Sequence, residues 1–298
     1  VLHRRIPGAR GQTYHHHPHQ ISSQCVDPPG VMLLTFDINV KIWKSAGMIP
    51  VLRFQNIPAR HAISTRQGGV SPKPFDSLNL SYTAGDSSLC VRRNRRRLSR
   101  SLNIDESDLF IARQVHGASV LHLAAHRPWE VSRIPCDALI STTSGQVVGV
   151  LVADCLPVLI AERGGRAVAA VHAGRKGIAA GILRNTVSFL THHLAISPQD
   201  LFAGVGPGIS RDHYAVDPLT ATGFLNAVDP DGISRNASPV QVLLDLRATV
   251  HALLIRSGIP PEHIEHMRQC TRSNPDLLFS FREAGGVTGR FAALIQAK

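Results

Sequence analysis

Two histidines and one cysteine stand at positions suited to a shared metal ion. His116 lies in Gln114-Val115-His116-Gly117, Cys155 in Ala153-Asp154-Cys155-Leu156-Pro157 and His172 in Val171-His172-Ala173-Gly174. Each closes a strand-like stretch, with Gly or Pro soon after it. Side chains at strand ends beside small residues can converge on a ligand pocket. Two imidazoles and a thiolate suit zinc, and three protein ligands leave a coordination place open, as in catalytic rather than structural sites. The separations are 39 residues (155 − 116) and 17 residues (172 − 155), so nothing local joins the ligands. On residue types alone a plainer reading competes: a buried Cys is often just a small hydrophobe.

The elements that must carry these residues read as mixed α/β. Strand patterns cover 52–54, 61–65, 109–114, 120–123, 138–140, 147–152, 158–161, 167–171, 201–205, 263–268, 278–282 and 291–295. Helical patterns cover 88–102, 178–194 (opened by Gly177) and 243–257, the last stopped by Gly258 and Pro260. The order lacks strict βαβ alternation. It predicts one domain, a layered α/β/α sandwich with a mixed β-sheet, over residues 48–298. Residues 1–47 differ, with His15, His16, His17 and His19, several Pro and Gly and little periodicity. They read as a disordered or non-native extension, with Met48 as the natural start.

Bulk composition narrows the function. No apolar run approaches the roughly 20 residues that span a bilayer, so a water-soluble protein is expected, and the cysteine pattern points to a reducing, cytoplasmic setting. The net charge of +11 favours anionic partners. Arg92, Arg93, Arg95, Arg96, Arg97 and Arg100 supply part of it as a solvated helix face. No aromatic interleaves with them, which argues against a nucleic-acid partner. The five cysteines are odd in number, widely spaced and without CxxC, which gives no disulfide framework.

The flanking residues carry a more specific signal. In order come Ser64-Thr65-Arg66-Gln67-Gly68-Gly69-Val70-Ser71, Ser77-Leu78-Asn79-Leu80, Gly85-Asp86 and Asn94-Arg95, then the segments around His116, Asp137-Ala138-Leu139, and those around Cys155 and His172. The second half adds Gly206-Pro207-Gly208-Ile209, Cys270-Thr271 and Thr288-Gly289-Arg290. Across about residues 50–297 the chain resembles the zinc-binding purine nucleoside phosphorylases once described as multicopper polyphenol oxidases or laccases. The resemblance implies zinc held by His116, Cys155 and His172. It implies phosphorolysis of adenosine and inosine, cleavage of S-methyl-5′-thioadenosine, and deamination of adenosine. Purine nucleoside and inorganic phosphate are the implied partners. One departure is informative: that family usually reads Gly-Trp-Arg-Gly where this chain has Gly174-Arg175-Lys176-Gly177.

On that basis Arg66, in its glycine-rich turn, is a candidate for phosphate, because a guanidinium binds phosphate bidentately. Arg175 and Lys176, with the helix opening at Gly177, form a second anion site. Arg290 is a further candidate contact. Asn79 can hydrogen-bond a ribose hydroxyl or cap its turn. Asp154 is a candidate proton carrier, and Asp137 an alternative or a partner that orients a His ligand. Two rival readings remain. A copper phenol oxidase would want an axial Met, for which residues 48–298 offer only Met48 and Met267. A metal-free hydrolase would use Cys155 as nucleophile and His172 as base.

Overall fold

The computed structural model describes residues 49–123, 126–228, 234–238 and 241–298. The segment 1–47 and its histidine cluster lie outside the described residues.

The chain opens with β1 (Val51–Leu52) and β2 (Arg60–Ser64), then α1 (Ser88–Leu102). β3 (Leu109–Ile111), β4 (Val120–His122), α2 (Pro128–Val131), β5 (Ala138–Ser141) and β6 (Val147–Val152) follow. Next are β7 (Leu156–Glu162), β8 (Val168–Ala173), α3 (Arg175–Ala179), α4 (Ile182–Ser188) and β9 (Leu201–Val205). The last part holds β10 (Ala215–Val216), α5 (Pro218–Val228), β11 (Ser234–Ser238), β12 (Gln241–Leu244), α6 (Leu246–Arg256), β13 (Ile264–His266) and β14 (Phe291–Gln296).

The layered mixed α/β architecture is realised with the strands divided between sheets. One sheet runs β1-β2-β14-β6-β3 and a larger one β13-β9-β7-β8-β5-β4; β10-β12-β11 form a small third sheet. Both larger sheets mix directions: β3 runs parallel to β6, β4 to β5 and β13 to β9, while the other neighbours are antiparallel. Their inner faces meet in one apolar layer built from Ile63, Val148, Val150, Leu139, Leu159, Ala170, Phe291 and Ala293. Helices α4, α5 and α6 cover the outer face of the larger sheet through Leu183, Val187, Phe224, Val250 and Leu254. Helix α1 covers the outer face of the other through Leu98 and Leu102, against Leu294.

Three local differences from the sequence pattern have physical causes. The stretch 278–282 is loop rather than strand, because Ser280 and the backbone of Arg282 are drawn onto Asp154. The helix expected over 178–194 begins at Arg175 and is interrupted at Gly181, whose φ of 90° lies in the left-handed region. The segment 243–257 starts as strand β12 and becomes helix only after Asp245, whose side chain accepts from Ala248 N–H at 2.9 Å. Among the described residues, Cys136, Cys155 and Cys270 are free thiols.

The two sheets tolerate little added bulk. A Cβ on Gly204 in β9 would stand 2.5 Å from the ring of buried Phe54. Gly204→Ala is expected to lower unfolding stability by about 1–3 kcal/mol through overpacking. Chemical denaturation checks this, and an unchanged midpoint would contradict the packing described.

Candidate metal centre

The three ligand candidates reach one point by three routes. The chain leaves the smaller sheet at Val152 and enters the larger at Leu156, so Cys155 sits on the crossing between them. His172 is the penultimate residue of β8 and pairs with Pro157 of β7. His116 lies in the turn between β3 and β4 at φ 59°, a left-handed conformation uncommon outside glycine. Gln114 anchors that turn: its amide donates to Leu151 O and accepts from Leu151 N–H, at 2.8 and 2.7 Å. The side chain thereby prolongs the pairing of β3 with β6.

Asp137 then joins the parts. Its backbone precedes β5, and His172 N–H donates to its carbonyl at 2.7 Å. Its carboxylate, buried at 1% exposure, accepts from the N–H groups of Val115, His116 and Gly117 at 3.2, 2.9 and 2.8 Å. It also bonds His172 Nδ1 at 2.8 Å. One carboxylate thus shapes the His116 turn and turns the Nε2 of His172 toward the cavity.

The ligand atoms of His116, Cys155 and His172 lie within 4.8 Å of one another. The two imidazoles meet edge to face, with centroids 4.7 Å apart. Gly174 makes room: a Cβ there would stand 2.8 Å from Cys155 Sγ and 3.2 Å from His116 Cδ2. Two imidazole nitrogens and a thiol, one imidazole oriented by a carboxylate, fit a metal ion such as zinc. Among the described residues this is the one group of three or more His, Cys, Asp or Glu side chains placed to hold a metal.

The electrostatics favour a thiolate–imidazolium pair, from which a bound metal would displace the His172 proton. Burial pushes the Cys155 thiol up, but His172 and His116 outweigh it and bring it down to about 6. Burial pushes His172 down, but Cys155 and Asp137 carry it up to about 9. Asp137 is destabilised as an anion by burial, yet His172 and the turn N–H groups hold it below the ordinary carboxylate range.

The site opens into a cavity of about 1210 Å³. Arg175, Lys176 and Arg290 line it, as does Asp154. Asp154 has φ 95°, and its carboxylate accepts from Thr271 Oγ1, Ser280 Oγ and Arg282 N–H at 2.5, 2.7 and 2.6 Å. It clamps the C-terminal loop against the site. Helix α3 is a single turn that starts at Arg175, not at Gly177.

Arg66, a phosphate candidate, and Asn79, a ribose or turn-cap candidate, both lie off the cavity wall. Arg66 does not line the cavity; it donates to Asp76 O and Pro275 O, both at 2.7 Å, pairs with the Asp76 carboxylate and covers the Phe279 ring. Its guanidinium is consumed in tying the glycine-rich turn to the C-terminal loop. Asn79 is fully buried, donates to Ser81 O and Asp86 and accepts from Arg290 N–H. Its contact with the site is therefore through the backbone of Arg290.

Other lining residues escaped the sequence reading. Tyr214 is one; burial raises its phenol, opposed by the neighbouring Arg175. Arg282, 5.1 Å from the Tyr214 ring, is another. Arg95, read within a solvated run, turns inward and lines the cavity with Tyr82. Only the inward periodicity of α1, with Val91, Asn94 and Leu98 buried, marks it in the sequence.

Comparison with known proteins places the chain in a family. Residues 60–298 match the family model described as multi-copper polyphenol oxidoreductase laccase. The chain belongs to that family. Among its relatives, a protein of Shigella flexneri named purine nucleoside phosphorylase YfiH is 38% identical over 236 residues, covering 78% of this chain and 91% of that one. A purine nucleoside phosphorylase of Deinococcus radiodurans is 34% identical, covering 83% and 92%. The crystal structure of YlmD from Geobacillus stearothermophilus superposes with a TM-score of 0.81 at 29% identity, covering 86% of this chain and 98% of that one. No helix among the described residues is long and apolar enough to cross a membrane.

Two outcomes follow from the laccase-family centre. Asp137→Asn is expected to weaken Zn²⁺ binding on the order of 10–100-fold. Competition with a chromogenic chelator measures this, and unchanged affinity would separate Asp137 from the ligands. In protein stripped of metal by chelation, alkylation of Cys155 should follow its thiolate. The rate falls as pH drops through about 6 and is flat from 7 upward. A rate still climbing toward pH 9 would contradict the His172–Cys155 pairing.

Proposed function

We propose that the chain is a zinc-dependent purine nucleoside phosphorylase that cleaves adenosine, inosine and S-methyl-5′-thioadenosine with inorganic phosphate. The observation that carries the reading is the convergence of His116, Cys155 and His172 at the wall of a cation-lined cavity. The names of the relatives point to the same reaction class.

Phosphorolysis needs phosphate held beside the ribose C1′ and charge stabilised as the purine leaves. Arg175, Lys176 and Arg290 are placed on the cavity to hold the phosphate. Tyr214, beside Arg175 on the cavity wall, offers a phenol for a substrate oxygen. A zinc ion bound by the three ligands supplies Lewis acidity. Asp137 keeps His172 in the tautomer with Nδ1–H donating, so that Nε2 is a lone-pair donor. Asp154, with three donors on its oxygens, positions Arg282 and the C-terminal loop rather than carrying protons. Adenosine deamination is included in the proposal as a second outcome at the same centre.

A copper oxidase is less well supported by the described residues. Met267 is packed in the layer between the sheets, away from the cavity, and no second ligand cluster stands among those residues. A metal-free Cys–His hydrolase is the stronger second reading, because Asp137, His172 and Cys155 are in series with the thiol brought down to about 6. Purified protein incubated with adenosine should release adenine only when phosphate is present. Cys155→Ala should cut the rate on the order of 100-fold or more. Equal rates in wild type and variant would end the reading. Inosine and ammonia in the same assay report deamination. Alkylation of Cys155 with metal retained, or a trapped acyl-enzyme, would favour the hydrolase.

A further inference from the structure

The cavity holds more positive charge than one phosphate needs. Arg95, Arg113, Arg175, Lys176, Arg282 and Arg290 line it, against the carboxylates of Glu106 and Asp154. Two carboxylates do not balance six cations. Asp154 holds the C-terminal loop and bears on Arg290, and Glu106 is shared between Arg95 and Arg96, the latter at 3.4 Å.

The cations fall into two groups. Arg175 and Arg282 flank Tyr214, and Arg290 feels the charges of Cys155 and Asp154, so these surround the metal centre. The second group is carried by different elements. Arg95 projects from α1 across the exposed Tyr82 ring at 4.5 Å, with its Nε fixed on Leu80 O at 2.9 Å. Arg113 follows β3, and its backbone is held by Ile134 and Pro135, just after α2. That helix presents Trp129, 56% exposed, to the same cavity. The Arg113 side chain makes no hydrogen bond or ion pair among the described residues.

Two guanidiniums beside two exposed aromatic rings on a concave wall suit a phosphate joined to a flat or sugar-like group. The volume agrees: about 1210 Å³ exceeds the roughly 300–1,000 Å³ common for small-ligand pockets. A nucleoside with one inorganic phosphate needs far less.

We propose that Arg95, Arg113, Tyr82 and Trp129 form a second subsite that takes a phosphate extension on the 5′ carbon of a purine nucleoside. Purine nucleoside 5′-diphosphates then bind this cavity better than the parent nucleosides. The proposal rests on the reading that the cavity takes purine nucleosides. It concerns binding and requires no new bond-breaking step.

The test is calorimetric titration of the metal-loaded full chain with ADP, adenosine and pyrophosphate, with adenine release from adenosine assayed in parallel. ADP is expected to bind at least about tenfold more tightly than adenosine, and Arg113→Ala to remove about that factor. The same variant should leave adenosine affinity and adenine release unchanged, and Trp129→Ala should weaken ADP in the same selective way. Equal affinities for ADP and adenosine overturn the subsite. So does an Arg113→Ala effect equal on both ligands, or pyrophosphate binding as tightly as ADP, which would mark an anion site blind to the nucleoside. Adenosine cleaved without ADP preference removes the subsite alone. No adenosine binding or cleavage removes the underlying reading and the subsite with it.

Discussion

The Asp137 carboxylate is the constraint from which the centre follows. It is buried, and it accepts three backbone N–H groups and one imidazole N–H. A buried anion is costly unless its lone pairs are filled, so this one enforces its own surroundings. The three backbone donors belong to the turn that carries His116. The fourth donor is His172. Satisfying a single charge therefore sets two ligands that are 56 residues apart (172 − 116) in the chain. The left-handed backbone at His116 is strain that these hydrogen bonds can hold in place.

The third ligand arrives through topology. Cys155 lies where the chain passes from the end of β6 in one sheet to the start of β7 in the other. The apolar layer between the sheets fixes their separation, and so fixes where that crossing runs. Gly174 then permits close approach of thiol and imidazole at the start of α3. Beside the thiol, Asp154 plays for the C-terminal loop the part that Asp137 plays for the His116 turn. By holding Thr271, Ser280 and the backbone of Arg282, it brings distant segments to the cavity wall.

Strand-end positions made His116, Cys155 and His172 candidates, but it was the resemblance of the flanking segments that singled them out, and the structure brings their ligand atoms together. Most strands and α1 were legible because period-two and helical patterns survive in buried segments. Arg66 was ambiguous because a polar residue in a glycine-rich turn looks alike whether it serves a ligand or the backbone, and of the two roles open to Asn79 the turn contact is the one seen. Here their hydrogen bonds go to backbone groups and to the carboxylates of Asp76 and Asp86. The division into two sheets was not legible, since strand patterns state which faces are apolar but not which strands pair. Tyr214, Arg113 and Trp129 carry no local mark, and only the folded chain places them on one cavity.

The central claim is that one thiolate and two imidazoles share a single divalent ion. X-ray absorption at the zinc edge of the metal-loaded protein tests it most directly. The expected spectrum has one sulfur and two imidazole scatterers per zinc, with the sulfur shell absent in Cys155→Ser. A zinc shell of nitrogen and oxygen alone in the unaltered protein would contradict the account.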